Sequence, residues 1–192
     1  NPQIFLLKQA KFFVDFFIAK SGIFWDFLIS IHNFHIIHNA PKARIFGLLP
    51  RYATICYHMP RSERNFKIMI KILFVCHGNI CRSPMAEFIM KNLVEERGFS
   101  SDFYIASAAT STEEIGSRVH HGTAAILDRL GIDYSGKRAR QMTKKDYQDY
   151  DMLIGMDEWN MRNMNRIAGG DPEGKLHLLL DFTDRPGDVA DP

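Results

Sequence analysis

The residues best suited to chemistry in this chain lie together at positions 76–83, which read Cys-His-Gly-Asn-Ile-Cys-Arg-Ser. Five residues between Cys76 and Arg82 let the backbone curl so that successive amide N–H groups face inward and cradle an oxyanion. Gly78 and Asn79 tolerate the left-handed dihedral angles expected in such a curl. Arg82 can close the far side with a bidentate grip on two phosphate oxygens. We call residues 76–83 the Cys-x5-Arg loop.

Cys76 opens this loop, where the donors that bind a phosphate would also stabilise a thiolate. The spacing therefore predicts a cysteine nucleophile lying beneath a bound phosphoryl group. The alternative interpretation is a buried cysteine at a strand end and an unrelated surface arginine. The strand pattern before the loop, the helix pattern after it and the Gly-Asn pair inside it favour the catalytic interpretation.

The elements that must position this loop alternate between strands and helices. Apolar, β-rich runs predict strands at 70–75, 103–109, 152–156 and 176–180. Helices are predicted from the cap Ser83 with Pro84, over 121–130, after the cap Thr143, and over 159–167. Alternation of this kind implies a parallel sheet with helices on both faces and a ligand site beyond the carboxyl ends of the strands. The loop after the first strand lies at that edge.

The first 68 residues differ from the rest in charge and composition. Residues 1–68 carry nine Lys and Arg against three Asp and Glu, whereas residues 69–192 carry fifteen against nineteen. The bias of 1–68 toward Phe, Ile, Asn, Lys and His, with few glycines, favours translated sequence upstream of a start at Met69, or a disordered extension. A basic, aromatic membrane-surface anchor is the alternative. We expect the enzyme domain to occupy 69–192.

Composition and cysteine content limit the other classes of protein. A chain that is 46% hydrophobic and 24% charged is neither disordered nor collagen-like. Three cysteines do not form a disulfide framework, so we expect a cytoplasmic protein. Apolar runs in 1–68 are too short or too charged to span a membrane, and no signal peptide is recognisable. We predict no bound metal or other cofactor and no nucleic-acid partner.

Residues 75–87, Val-Cys-His-Gly-Asn-Ile-Cys-Arg-Ser-Pro-Met-Ala-Glu, closely resemble the signature of the low-molecular-weight protein tyrosine phosphatases. Residues 107–111, 139–141 and 156–158 resemble later blocks of the same family, in order. The resemblance covers 69–192 and leaves 1–68 unexplained. It implies a three-layer αβα fold with a four-stranded parallel sheet in the flavodoxin-like order 2-1-3-4. It also implies metal-free hydrolysis of phosphotyrosine through a cysteinyl-phosphate.

The resemblance also implies roles for individual residues. Cys76 becomes the nucleophile, Arg82 the phosphate clamp and Asp191, in an Asp-Pro step after the last strand, the general acid and base. Ser83 would steady the thiolate and Asn79 would brace the loop. The substrate-binding positions are His77, Gly78, Asn79, Ile80, Cys81 and Ser83. The substrate would be a phosphotyrosine-containing protein or a small aryl phosphate, and inorganic phosphate would be a product.

The chain departs from the family pattern at two places. Relatives normally continue past the Asp-Pro step with aromatic residues and a final helix, whereas this sequence stops at Pro192. Glu113 stands where relatives often place an aromatic residue on the wall of the cleft, so the preferred peptide is left open.

Three other functions compete with this interpretation. An arsenate reductase of the same fold needs further cysteines downstream to relay a disulfide, and none follows Cys81. A phosphoarginine phosphatase would be expected to carry Thr where Ile80 stands. A phosphotyrosine-binding module without activity would require that Asp191 cannot reach the site.

Residues outside the loop received structural predictions. Asp157 is expected either to support the loop or to cap a helix. Ser107, at a strand end, could hydrogen-bond the loop, although a half-buried serine with ordinary partners is the commoner case. Trp159 is predicted to pack in the core. Asp181, Asp184 and Asp188 lie near Asp191 in sequence and are expected to be equally exposed loop carboxylates.

Overall fold

Four parallel strands form a single sheet in the order β2-β1-β3-β4. The computed structural model describes residues 69–183 and 186–191, so the predictions for 1–68 and for Asp184 lie outside the described residues. The strands are β1 (Ile70–Cys76), β2 (Phe103–Ala109), β3 (Met152–Gly155) and β4 (Leu176–Leu178). This order confirms the αβα sheet predicted from the sequence.

Helices follow the strands along the chain. They are α1 (Arg82–Glu96), α2 (His121–Arg129), α3 (Lys144–Asp149) and α4 (Glu158–Ala168), with 3-10 turns at Ser100–Asp102 and Leu179–Phe182. Helix α1 packs on β1 and β2 and contacts α2, while α4 packs on β3 and β4 and contacts α3. In the part of the chain that the structure describes, no helix is both long and apolar enough to cross a membrane.

Strand β1 lies at the centre of the sheet and carries the Cys-x5-Arg loop at its carboxyl end. Its sequence Ile-Lys-Ile-Leu-Phe-Val-Cys is buried at every position except Lys71. A nearly continuous apolar run is what a strand covered on both faces requires. Leu73 and Val75 join the apolar cluster that includes Leu153 of β3 and Met164 of α4. The loop therefore begins from the most firmly held strand of the sheet.

The start of α1 differs from the prediction. The helix begins at Arg82, one residue before Ser83, and its N-cap is Cys81, which makes no side-chain capping bond. The expectation that Ser83 caps the helix is wrong, because its hydroxyl turns to the Cys76 sulfur instead. Pro84 lies within the first turn, where a missing N–H costs no helical hydrogen bond.

Other boundaries follow the local chemistry closely. Thr143 and Asp146 form the predicted capping box at the start of α3, and α4 ends at Gly169 with φ of 84°. The last strand is shorter than predicted, because the Asp181 carboxylate accepts from the Leu178 N–H at 3.1 Å and starts a 3-10 turn. The prediction for Trp159 is wrong, since its indole is exposed beside Arg162.

Candidate active site

The Cys-x5-Arg loop joins β1 to α1 at the carboxyl edge of the sheet. Its neighbours are the residues that follow β2 (110–120), the residues that follow β3 (156–157) and the chain segment 186–191, which we call the acid loop. Because parallel strands bring their carboxyl ends to one edge, residues distant in sequence meet here. The predicted site residues within the loop and Asp191 all lie at this edge.

The backbone of the loop is turned so that its amide N–H groups face inward. Four of its carbonyl groups point outward. Those of Cys76 and His77 accept from the N–H groups of Thr110 at 2.9 Å and Ser111 at 3.0 Å. The carbonyl of Ile80 accepts from the N–H group of His120 at 2.9 Å. The fourth, of Cys81, accepts from Met85 N at 3.1 Å within α1. The described chain has no cis peptide bond. In a trans peptide each N–H points opposite to the preceding carbonyl, so the amides of residues 77, 78, 81 and 82 face the inside of the loop.

Asn79 and Gly78 serve the curl for different reasons. Asn79 has φ of 57°, and it is the one non-glycine residue with positive φ in the described chain, as expected for a tight curl. Gly78 does not adopt a left-handed angle, so that part of the prediction is wrong. A Cβ at Gly78 would lie 3.2 Å from Cγ of Glu114, so close approach of the neighbouring loop explains the glycine. 

The Cys76 sulfur is buried and receives two polar contacts. Asn79 N–H donates to Sγ at 3.3 Å, and Ser83 Oγ lies 3.0 Å from Sγ. Both contacts come from the loop or from the first turn of α1, whose N-terminal end carries a positive partial charge. These partners suit a sulfur that carries negative charge.

Asn79 fixes the direction of the hydrogen bonds around that sulfur. Arg140 N–H donates to Asn79 Oδ1 at 3.2 Å, which identifies the other side of the amide as the donor. Asn79 Nδ2 donates to Ser83 Oγ at 2.9 Å and to Ser107 Oγ at 2.8 Å. Ser83 Oγ accepts from the amide, and its single proton has two further contacts, Cys76 Sγ at 3.0 Å and the Ala108 carbonyl at 3.4 Å. A thiolate at Cys76 would be the nearer and the stronger acceptor of that proton.

Ser107 is fully buried and accepts from Asn79 Nδ2, so the expected alternative of a hydrogen bond to the loop is confirmed and the half-buried alternative is wrong. Its hydroxyl donates to Glu87 Oε2 at 2.6 Å. Lys137 Nζ donates to the same carboxylate oxygen at 2.8 Å and to the Ser107 carbonyl at 3.1 Å. The chain of contacts therefore extends from the sulfur to a buried ion pair. We call this set the buried network: Cys76, Asn79, Ser83, Glu87, Ser107 and Lys137.

Glu87 and Lys137 each stabilise the charged form of the other. Burial opposes the ionised form of Glu87, but the charges of and hydrogen bonds from Lys137 and Lys91 outweigh it and lower the pKa of Glu87. Burial lowers the pKa of Lys137, and the Glu87 charge partly offsets this. Neither Glu87 nor Lys137 was predicted from the sequence to be part of the site. A signal did exist, because Glu87 follows Ser83 by four residues on α1 and so shares its face.

Arg82 is buried at the other side of the loop and meets the acid loop. Its Nη1 donates to Asp157 Oδ2 at 2.5 Å and to the Val189 carbonyl at 3.1 Å. Its Nε lies 2.9 Å from Asp191 Oδ1. That last contact is an ion pair without hydrogen-bond alignment, because Nε has no aligned acceptor among the described residues. Asp157 combines both predicted roles, since its Oδ1 also accepts from Asn160 N at 2.6 Å as the N-cap of α4.

The carboxylates near the end of the chain are not equivalent. Among those that the structure describes, at positions 181, 188 and 191, Asp191 is the one that contacts Arg82; it remains 71% exposed, while the Arg82 side chain is 5% exposed. Asp188 instead accepts from Glu158 N at 3.0 Å at the start of α4, and Asp181 is used by the 3-10 turn after β4. Geometry therefore distinguishes Asp191, which the sequence left beside equally exposed neighbours.

The remaining loop side chains, those of His77, Ile80 and Cys81, are half-buried. His77 Nε2 lies 3.1 Å from Glu113 Oε2, and the Glu113 side chain is largely exposed. The side chain of Ile80 is half-buried beside the position of Gly78. Burial raises the pKa of the Cys81 thiol, and the Cys76 sulfur nearby adds to this rise. Glu113 thus gives the rim an acidic side chain.

Comparison with known proteins agrees with this geometry. The sequence model of the family described as low molecular weight phosphotyrosine protein phosphatase matches residues 71–192. The protein-tyrosine-phosphatase YfkJ of Bacillus subtilis is 40% identical over 126 residues, which cover 65% of this chain and 81% of the relative. Its crystal structure matches with a TM-score of 0.62, 41% identity, and coverage of 65% of this chain and 79% of that chain.

Two other relatives show the range of the fold. The human low molecular weight phosphotyrosine protein phosphatase is 44% identical over 95 residues, which cover 50% of this chain and 60% of the relative. A Drosophila arginine phosphatase structure matches with a TM-score of 0.53, 32% identity, and coverage of 57% of this chain and 70% of that chain. Because the family model matches well over half of the sequence, the chain belongs to the low molecular weight phosphotyrosine protein phosphatase family.

Proposed function

We propose that this protein-tyrosine-phosphatase hydrolyses phosphotyrosine in proteins, and small aryl phosphates, through a phosphorylated Cys76. The observation that carries the proposal is the surrounding of the sulfur: a buried Sγ with Ser83 Oγ at 3.0 Å and Asn79 N at 3.3 Å, inside a ring of inward-facing amides. A thiolate is the nucleophilic form of cysteine, and such donors favour it.

In the first step the Cys76 thiolate attacks phosphorus. The S–P bond forms as the P–O bond to the aromatic ring breaks, and the electron pair of that bond leaves with the phenolic oxygen. Asp191 supplies the proton that this oxygen takes, so the leaving group departs as a neutral phenol. The ion-pair contact of Asp191 with Arg82 supports this role, because it places the carboxyl group beside the phosphate clamp.

The phosphoryl group in flight carries negative charge on its outer oxygens. The amide N–H groups of the loop and the guanidinium of Arg82 are fixed in place before the reaction, so stabilising this charge requires little rearrangement. The positive end of α1 points at the same place. The chemistry thus depends on donors that the loop already holds in position.

In the second step water attacks the phosphocysteine. Asp191, now a carboxylate, accepts the proton of the attacking water, the S–P bond breaks, and the thiolate and inorganic phosphate are released. The same residue serves as acid and then as base because the first step leaves it deprotonated. Asp157 and the Val189 carbonyl hold Arg82 in place through both steps.

The other functions receive less support. A binding module without activity would need Asp191 to lie away from the site, whereas its carboxylate contacts Arg82 at 2.9 Å. A disulfide relay of the arsenate-reductase type would need a cysteine after Cys81, and the sequence has none there. The apolar side chain of Ile80 at the rim suits a phenyl ring better than a charged guanidinium group. 

The experiment replaces the nucleophile and leaves the rest of the loop intact. We expect Cys76→Ser to abolish hydrolysis of phenyl phosphate while inorganic phosphate still binds, because an alkoxide is far harder to form than a thiolate. Steady-state phosphate release and equilibrium dialysis measure the two properties. Cys56→Ser, a matched thiol loss outside the family match, should retain full turnover. Substantial turnover by Cys76→Ser would overturn the proposal.

A further inference from the structure

Asp191 contacts the same guanidinium that the phosphate must use. We infer that the Asp191 carboxylate and the phosphate group of the substrate compete for Nε of Arg82, so that binding of phosphate displaces Asp191 from its contact. This inference rests on the proposed function, which assigns Arg82 to the phosphate and Asp191 to proton transfer. It adds that the phosphate and the Asp191 carboxylate cannot both contact Nε of Arg82 at the same time.

The guanidinium of Arg82 has five hydrogens to donate. Both hydrogens on Nη1 are used by the protein, one by Asp157 Oδ2 and one by the Val189 carbonyl. A bidentate grip on phosphate needs two adjacent nitrogens. The pair that remains is Nε with Nη2, and Nε is the nitrogen beside Asp191 Oδ1. A phosphate gripped in this way therefore takes the place of the carboxylate oxygen.

The contact between Asp191 and Nε of Arg82, which phosphate would displace, is poorly aligned. Nε is buried and has no aligned hydrogen-bond acceptor among the described residues, although Asp191 Oδ1 lies only 2.9 Å away. A buried N–H without an aligned acceptor is unfavourable. A phosphate oxygen that lies along the N–H direction would satisfy it. Displacement of Asp191 then exchanges a misaligned partner for an aligned one.

The Asp191 side chain can leave Nε of Arg82 while the rest of the acid loop stays attached to the fold. Val189 holds the acid loop twice, by donating from N to the Met156 carbonyl at 2.7 Å and by accepting from Arg82. Asp188 adds a third attachment to Glu158 N at 3.0 Å. Asp191 lies two residues beyond these attachments and is 71% exposed. Its side chain can turn toward solvent or toward a leaving group without breaking any of them.

The consequence is that one carboxyl group alternates between two positions. Without an anion it neutralises Arg82, and with phosphate bound it is released beside the phosphoryl group, where the leaving oxygen lies. Return of the carboxylate to Nε after hydrolysis would also oppose rebinding of the phosphate product. The contact is poorly aligned and its carboxylate is largely in solvent, so the pair is weak enough for the exchange to be reversible.

The test measures binding of inorganic phosphate by calorimetry at fixed ionic strength, so it does not depend on turnover. We expect Asp191→Asn to bind phosphate about tenfold more tightly than the parent, because a competing charge in contact with the clamp is removed. Asp191→Glu keeps a carboxylate within reach and should bind within about threefold of the parent. Asp188→Asn is the matched control, since it loses one charge from the same loop and its amide oxygen can still accept from Glu158 N.

A second readout follows the Arg82 Nε–H resonance by NMR. In Asp191→Asn without phosphate it should move away from its parent position, and saturating phosphate should bring the two proteins to similar positions. Equal affinities of Asp191→Asn and the parent would overturn the inference. Equal tightening by Asp188→Asn would also overturn it, because the effect would then be general electrostatics. Loss of aryl phosphate hydrolysis without tighter phosphate binding would leave the proposed function standing and remove only this inference.

Discussion

The two sides of the site are built in opposite ways. The buried network beneath Cys76 is closed to solvent and joined by hydrogen bonds from the sulfur to the Glu87–Lys137 pair. The acid loop is exposed at Asp191 and attached to the fold mainly through Asp188 and Val189. The proposed nucleophile and its anion-binding loop are therefore fixed in advance, whereas the proposed acid, Asp191, is largely exposed, and we propose that it moves.

This difference matches what each side has to do. Phosphate charge is stabilised best by donors that do not rearrange during the reaction, which favours burial and full hydrogen bonding. A group that gives a proton in one step and removes one in the next must reach two different oxygens and exchange protons with water. An exposed loop residue meets that need. Substitutions on the two sides should consequently fail in different ways.

The largest effect is expected on the exposed side. Asp191→Asn should slow hydrolysis of phenyl phosphate by about 10²–10⁴, the usual contribution of a positioned acid. The melting temperature should hardly change, because the side chain is mostly in solvent. The phosphorylation step of an ester with a good leaving group should suffer less, since its oxygen needs less protonation. Burst kinetics on the two esters measure that step.

Asp188→Asn provides the control for this prediction. This variant removes the same charge three residues away. The Asp188 carboxylate accepts from Glu158 N–H and is not paired with Arg82. If Asp188→Asn shows the leaving-group pattern and Asp191→Asn does not, the identity of the acid is wrong. If neither variant shows this pattern, the proposal that the acid loop supplies a movable acid is contradicted.

The next effect is on the stability of the buried side. Lys137 and Lys91 pair with the same Glu87 carboxylate, but their side chains are 11% and 44% exposed. Lys137→Gln should lower the free energy of unfolding by about 3 kcal/mol, because it leaves the buried Glu87 carboxylate with only the more exposed Lys91 as a charge partner. Lys91→Gln should cost less than about 1 kcal/mol. Urea denaturation of both variants checks the contrast, and equal losses would show that the network is not the buried structure described.

The pH dependence of the same pair gives a finer effect. The pKa of Glu87 is below its ordinary value of 4.5 in the folded protein, so its ionised form favours folding. That contribution is complete above the unfolded pKa and is lost as the pH falls through the folded pKa. In Lys137→Gln the larger of the two lysine contributions that lower the pKa of Glu87 is gone and Lys91 remains, so less stability should be lost in acid. Melting temperatures of both proteins between pH 6 and about pH 3 measure the difference, and parallel curves would contradict it.

The smallest effect is expected from the first 68 residues. Every strand and helix of the described fold lies between Ile70 and Phe182, and the family match begins at residue 71. We propose that residues 69–192 form the phosphatase domain. A protein that begins at Met69 should then melt within a few degrees of the full chain and retain its kcat. A large fall in melting temperature would show that the earlier residues belong to the fold.

Much of the fold could be predicted from the sequence, because its strands and helix ends depend on patterns of residues that are a few positions apart. Strand β2 and the capping box at Thr143 were predicted at their observed residues, since alternation and capping act over a few positions. The boundary at Ser83 was wrong because a tertiary contact with Cys76 overrides its capping preference. Lys137 was missed because its partners Glu87 and Ser107 are distant in sequence, and no local pattern reveals a buried ion pair. Asp191 was chosen over Asp188 from the family resemblance alone, and the physical difference between the two carboxylates lies in contacts across the sheet edge that no local pattern reveals.

The most direct test of the account is to trap the phosphorylated enzyme. An aryl phosphate labelled in its phosphoryl group is mixed with the full chain and quenched in acid within milliseconds, and the labelled peptide is sequenced by mass spectrometry. The account predicts label on Cys76 that appears before free phosphate and is absent in Cys76→Ser. Label on another residue, or phosphate release with no labelled enzyme at any time, would contradict it.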